Sequence, residues 1–429
     1  MDTVQRILTE AERLANTAGL VTELGWGGEA GVRGKLITIA GAPSTFDLVQ
    51  AITQAAYDLG ARDVSFIPVV PELTAMHLKA HADDDEARNS VPQIWADAWN
   101  RLVDDSGCTV RIESPDDPLA LSRCNGAHAS QRTVAEQAAR KRFYDEGLFK
   151  VTLPWTIIPR ATRGWAELVF PGDPNGVAKL QEALDAILCT NDPDCVQRWR
   201  ERIELSERRA EALNAVGASA VRFVGPGTDL TVGLSPVSYF SSALKRTKHG
   251  VQHMANIPTF ESFSTPNKHL TRGHFTCTRP VIIAGTLVKG LKVWFNDKGE
   301  VDRFEAESGS DAFRSVIETP GGNMLGEVAL VGLDGNAIFD SGLTFNNTLL
   351  DENAACHVAL GRGYPMQLRG GPDMTEEQLS ELGCNNSTKH HDVMISDRST
   401  DAFLVRSDES EVQVISAGLW SDSLLAQAC

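Results

Sequence analysis

The stretch 35–67 constrains the fold of this chain more than any other part of it. Lys35 to Ile39 is a short β-rich segment, Gly41-Ala42-Pro43-Ser44 turns the chain, and a helical pattern runs to Tyr57. After Gly60-Ala61 a second strand spans Val64 to Ile67. Strand, helix and strand at this spacing make a βαβ unit, so the two strands run parallel and need helices to cover them. The surrounding glycines form neither G-x-G-x-x-G nor a phosphate loop, so no nucleotide site is read here.

Helical signal returns from about Thr133 to Tyr144 and from Val196 to Val216, where Trp199, Ile203, Leu205, Ala210 and Leu213 punctuate a charged surface. Beyond it the texture changes. Val221–Val224 and Leu230–Leu234 read as strands joined by Gly225-Pro226-Gly227-Thr228-Asp229, and β signals follow at Val281–Ala284, Leu291–Phe295, Glu327–Val331 and Val412–Ile415. With 429 residues, too many for one ordinary core, the expectation is an α/β protein in two parts. These are an N-terminal α/β domain with a parallel sheet over 1–215 and a β-rich C-terminal metal-binding domain over 216–429.

Lys and Arg number 40 against 57 Asp and Glu, a net charge of −17 with no basic stripe, which excludes nucleic acid as a partner. No apolar run approaches the roughly 18 to 20 residues that span a bilayer, so no membrane partner is expected. Met1 to Leu8 reads as the start of an amphipathic helix and not as a secretion signal, so the expected location is cytoplasmic. The 8 cysteines form no C-x-x-C pair and are read as reduced thiols; Cys189 and Cys195, flanking Asn191-Asp192-Pro193-Asp194, are a pair for which a local disulfide is conceivable. Asp83-Asp84-Asp85-Glu86 reads as a solvated face.

The second half holds the residues suited to a metal centre: Glu261, Glu327, His357, Tyr364, His390 and Asp392. His390-His391-Asp392 leads into an apolar strand, where His390 and Asp392 fall on one face and His391 points away. Asn353 to Gly361 reads as a short apolar helix with Asp351 and Glu352 as N-terminal signals, so His357 is either a core histidine satisfied by a carbonyl or a ligand. Glu327 heads an apolar strand, and its charge is either compensated by a cation or exposed at the strand end. Glu261 stands among apolar neighbours in the loop Asn256-Ile257-Pro258-Thr259-Phe260-Glu261, as ligand or general base. His249 and His253 have a helical ligand spacing, but Gly250 weakens the helix and no H-E-x-x-H glutamate lies between them.

These stretches resemble the metallopeptidase family of the aminopeptidase T, aminopeptidase S and PepS type. The resemblance is carried by Gly225 to Leu234, Asn256-Ile257-Pro258-Thr259 through Pro266, Gly326-Glu327-Val328-Ala329-Leu330, Glu352 to His357 through Tyr364-Pro365, and His390-His391-Asp392. Ala55-Ala56-Tyr57 through Gly60-Ala61, and Trp165-Ala166 through Phe170-Pro171, extend it over nearly the whole chain. It implies a paired-metal aminopeptidase with ligands Glu261, Glu327, His357, His390 and Asp392, with Tyr364 a ligand or transition-state donor. It also implies a homodimer and an N-terminal domain that restricts access to the site. Two departures stand out: Phe260 precedes Glu261 where the family usually has two successive acids, and Ser396-Asp397 replaces a small Gly-Ser pair.

The expected activity is divalent-metal-dependent hydrolysis, with Glu261 and Tyr364 catalytic and one or two ions of Zn, Mn, Co or Fe. The substrate is a small peptide cleaved at its N-terminus. Phe260 keeps open an amidase or aminohydrolase acting on a small, aromatic, non-peptide amide, and a more distant alternative uses His357, His390 and one carboxylate as an iron-binding facial triad.

Overall fold

The computed structural model describes residues 7–283 and 286–421; the first six residues of the expected N-terminal helix, Ala284 and Cys429 lie outside the described residues. The first described helix starts at Glu10, where Thr9 and Glu12 cap each other reciprocally. The chain packs as two compact units. One comprises the residues up to Glu201 with Leu244–Pro258, the other Arg202–Ala243 with everything described from Thr259 onward.

In the first unit the expected strands form at Leu36–Gly41 and Asp63–Pro68, parallel and in register from Leu36 opposite Asp63. Cys108–Glu113 and Trp155–Pro159 extend the sheet, all parallel, with Asp63–Pro68 and Trp155–Pro159 at its edges. The connecting helix Phe46–Asp58 buries Leu48, Ile52 and Ala56, one residue per turn, as a helix over a parallel sheet must. The segment Leu244–Pro258 returns to this unit through a hairpin, and two main-chain bonds of 2.9 Å fasten it to the edge strand, Ile157 N–H to Ala255 O and Ile257 N–H to Ile157 O. His253 lies buried on that hairpin and His249 is exposed, so the two do not share a helix face. The acidic run is exposed, with Asp84 capping the short helix Asp85–Asn89. Cys189 and Cys195 are free thiols like the other described cysteines.

The second unit is built on antiparallel sheets. Eight strands run in the order Val301–Glu305, Lys292–Phe295, Pro266–Thr276, Thr228–Leu234, Ala220–Gly225, Asp401–Val405, Glu411–Ser416 and Leu419–Trp420. A second sheet orders His390–Met394, His357–Gly361, Leu325–Val331 and Glu261–Ser264. Between them lies one core: Val221, Phe223, Val232, Phe275 and Val293 from the larger sheet meet Val328, Leu330, Val358, Leu360 and Val393 from the smaller. Among the described residues no helix is long and apolar enough to cross a membrane.

Candidate metal centre

Side chains alternate across a strand, so the core residues of the smaller sheet determine what faces the other way. Val328, Leu330, Val358, Leu360 and Val393 point into the core. The opposite face follows from register: His357 lies opposite Ala329, Ala359 opposite Glu327 and Asp392, Gly361 opposite His390, and Glu261 opposite Val331. Glu261, Glu327, His357, His390 and Asp392 therefore project from one face of a single sheet. His391, opposite Leu360, turns to the other, as expected. Gly361 allows the close pairing of the outer strand: its φ is 102°, and a Cβ there would stand 2.1 Å from the Lys389 carbonyl oxygen.

Two expectations change. The Asn353–Gly361 segment is not a helix; a 3-10 turn over Glu352–Ala354 leads into the strand His357–Gly361. A strand bonded on both sides and buried on both faces is apolar at every position, which hides the two-residue period. Glu327 is not at an exposed strand end. It is the third residue of Leu325–Val331 and 4% exposed.

The ligand atoms form two groups that share Glu327. Glu261, Glu327 and His357 make one, Glu327, His390 and Asp392 the other, each with its atoms within 4.8 Å of one another. His357 Nε2 stands 3.2 Å from Glu261 Oε2 and 3.5 Å from Glu327 Oε1. His390 Nε2 stands 3.8 Å from Glu327 Oε2 and 3.3 Å from Asp392 Oδ1. The two Glu327 oxygens thus address different imidazoles. Both rings are fixed from behind, His357 Nδ1 at 3.2 Å from Ala355 O and His390 Nδ1 at 2.8 Å from Arg362 O. With Nδ1–H donating to a carbonyl, Nε2 is the nitrogen turned to the carboxylates, and it offers its lone pair to a cation once the ring is neutral.

Buried His357 Nε2 and Glu261 Oε2 are close but misaligned, and neither has a hydrogen-bond partner. Such orphans are costly unless something else satisfies them. A divalent cation does so, and this mixed nitrogen and oxygen set fits one. The facial triad needs two imidazoles and a single carboxylate, whereas the two groups here contain three carboxylates.

The charges tell the same story. Burial acts to lower the His357 pKa, yet Glu261 and Glu327 outweigh it and hold the imidazolium well above its ordinary range. Burial likewise opposes the charge on His390, but Asp392 beside it raises the pKa to about 9, and His390 in turn depresses Asp392. Glu327 is raised by burial, against the pull of His357 and His390. Protons on the imidazoles thus do the work a cation would do, and a bound ion reverses this balance.

Two further groups complete the site. Tyr364 is anchored through its main chain, its N–H donating to Thr265 Oγ1 at 3.0 Å and its carbonyl accepting from the same hydroxyl at 2.9 Å. Its ring lies 4.9 Å from that of His390, and burial together with Glu327 and Asp392 holds its hydroxyl protonated, with a pKa well above 10. Glu352 was read in the sequence only as a helix-start signal. Its carboxyl is pushed well above the ordinary range by burial and then by Asp392 and Glu261, so it faces the same cluster. The signal for it was slight: an acid, itself only half-buried, directly before the buried run Asn353 to His357.

Ala359 is fully buried on the ligand face, between Glu327 and Asp392. A larger side chain there would crowd the carboxylates of both ligand groups. Ala359→Leu is expected to cost about 1–3 kcal/mol of stability by overpacking and to lower the metal content found after dialysis. Full metal content in a folded Ala359→Leu protein would show that the space beside Ala359 is not the ion's.

A β-sandwich whose smaller sheet brings acids and imidazoles within 4.8 Å of one another, in two groups sharing a carboxylate, defines a metal-dependent hydrolase. The thermophilic metalloprotease (M29) family matches residues 11–420, and the chain belongs to it. It is 32% identical to aminopeptidase T of Thermus thermophilus over 98% of this chain and 100% of that protein. It is 31% identical to aminopeptidase 2 of Geobacillus stearothermophilus over 88% and 91%. The solved structure of wild-type AmpT from Thermus thermophilus superposes with a TM-score of 0.87 at 30% identity, covering 96% of this chain and all of that one.

Proposed function

We propose that this chain is an aminopeptidase whose two ligand groups would each hold a divalent ion, Glu261, Glu327 and His357 the one, and Glu327, His390 and Asp392 the other. The observation that carries the proposal is the division of Glu327 between the two imidazoles, Oε1 at 3.5 Å from His357 and Oε2 at 3.8 Å from His390. Divalent ions held there supply Lewis acidity and bring the pKa of water from 15.7 towards about 7.

The chain's own groups do the rest. Glu352 has its basicity raised by burial and the neighbouring acids; as the carboxylate, the form that cations bound beside it would favour, it accepts the proton of the attacking water and returns it to the departing amine. Glu261, whose oxygen belongs to the first ligand group, serves as ligand, and the general-base role is assigned to Glu352. Tyr364, whose hydroxyl keeps its proton, donates a hydrogen bond to the oxyanion. Tyr364→Phe is expected to lower kcat about 10²–10³-fold, the cost of one oxyanion donor, with KM nearly unchanged. An unaltered kcat removes Tyr364 from the mechanism.

The names of the relatives support a peptide with a free N-terminus as substrate. The ligand set suits Zn, Mn, Co or Fe. We read the enzyme as cytoplasmic and, from the family resemblance, as a homodimer, which sedimentation in solution tests. The deciding assay compares aminoacyl p-nitroanilides with their N-acetylated forms, using dialysed protein resupplied with each metal in turn. Metal-dependent cleavage of the free-amine substrates alone is expected; turnover of aromatic amides with none on aminoacyl substrates would establish the amidase reading instead.

A further inference from the structure

The sheet fixes most of the ligands by its hydrogen bonds, but not all equally. Glu261 is the first residue of its strand, and its pairing with Val331 is the last rung on that side. Nothing in the ladder holds the preceding peptide, and strand ends fray. Nor does the sheet join the Glu261 strand to the turn bearing Glu352, because the Leu325–Val331 strand lies between the Glu261 and His357 strands.

The side chain of Asn353 spans this gap. Asn353 is fully buried, and its Oδ1 accepts from the Phe260 N–H at 2.6 Å. Its Nδ2 donates to Leu349 O at 3.0 Å and, at a longer 3.4 Å, to Glu352 Oε1. From behind, Asn336 Nδ2 donates to the Asn353 carbonyl at 2.8 Å, while Asn336 Oδ1 accepts from Ile338 and Phe339 N–H. The amide is thus oriented at both ends, and every polar atom of Asn353's side chain is used.

We propose that Asn353 is a positioning residue with two separable actions: through Phe260 it sets the placement of the ligand Glu261, and through its amide N–H it orients Glu352. This rests on the metal-centre reading above. The first action belongs to metal affinity, the second to turnover.

The test is a double-mutant cycle of Asn353→Ala with Glu352→Gln, with Co2+ titrated calorimetrically into metal-free protein and kcat measured at saturating Co2+. Asn353→Ala alone is expected to weaken Co2+ binding about 10–100-fold, as losses behind a ligand do, and to do so equally in the Glu352→Gln background. It is also expected to lower kcat about 10-fold or more at little change in KM, an effect that shrinks to less than about 3-fold when Glu352 is already Gln. Unchanged Co2+ affinity, or kcat factors that multiply independently across the cycle, overturns the proposal. If Asn353→Ala does not fold, Asn353→Asp keeps the acceptor for Phe260 and replaces the donor facing Glu352. It should then retain Co2+ binding while losing turnover, and wild-type kcat in that protein likewise overturns it. Should the wild type cleave no aminoacyl p-nitroanilide, the aminopeptidase reading fails, while the Co2+ titration, which needs no substrate, still decides the role of Asn353.

Discussion

Glu327→Gln is expected to lower kcat/KM by at least about 10³-fold, roughly 4 kcal/mol of transition-state stabilisation, and to remove both ions instead of one. No other candidate ligand belongs to both groups. Substitution of His357 or of Asp392 leaves the other group intact and should leave one ion in place. In the metal-free protein the same substitution takes a buried carboxylate away from the His357 and His390 imidazoliums, and removing one partner of a buried charge pair costs about 3–5 kcal/mol. Metal analysis after dialysis, together with thermal unfolding in chelator, checks both parts. One ion retained by Glu327→Gln contradicts the shared role of Glu327, and an unchanged metal-free melting temperature contradicts its pairing with the imidazoliums.

Stripping the metal is expected to abolish activity, and the pH dependence of its return has a definite sign. In the metal-free state His357 and His390 are held as imidazolium by their carboxylate neighbours, His390 to about pH 9. A ligand must be neutral, so binding expels these protons and the apparent metal affinity climbs with pH. The stability of the metal-free protein moves the other way. A histidine whose folded pKa exceeds the unfolded value of about 6.5 stabilises fully below that pH and loses its contribution as pH rises through the folded pKa. Between pH 6.5 and 9 the chelated protein should therefore soften while its affinity for a divalent ion increases. Calorimetry in buffers of different ionisation enthalpy reads the proton release directly, and thermal unfolding with chelator reads the stability. Proton-neutral binding at pH 7 would show the imidazoles to be uncharged beforehand.

How far the chain disclosed this in advance depends on the range of the interactions. The βαβ unit at 35–67 is local, and its strands and helix fall within a residue or two of where the pattern puts them. His390 and Asp392 are separated by a single residue, and strand geometry alone puts them on one face. His357 was harder, because its strand is buried on both faces and reads the same as a short apolar helix. Glu352 was misjudged for a related reason: an acid at the start of an apolar run is ordinarily a cap, and only the fold brings Asp392 and Glu261 towards it. The return of Leu244–Pro258 to the first unit had no visible signal, since the bonds that fasten it to Ile157 join residues about a hundred positions apart.

One face of the smaller sheet meets the core and the other carries the candidate ligands, and three of its strands, Leu325–Val331, His357–Gly361 and His390–Met394, bear residues of both sets. A slip of one residue in any of these three would exchange the sets, turning valines outward and acids or imidazoles into the sandwich. Correct alignment would thereby be checked twice, once by apolar packing and once by the capture of metal. A bound cation would act as a proofreader of strand pairing, rewarding the alignment in which the strands present their donors together.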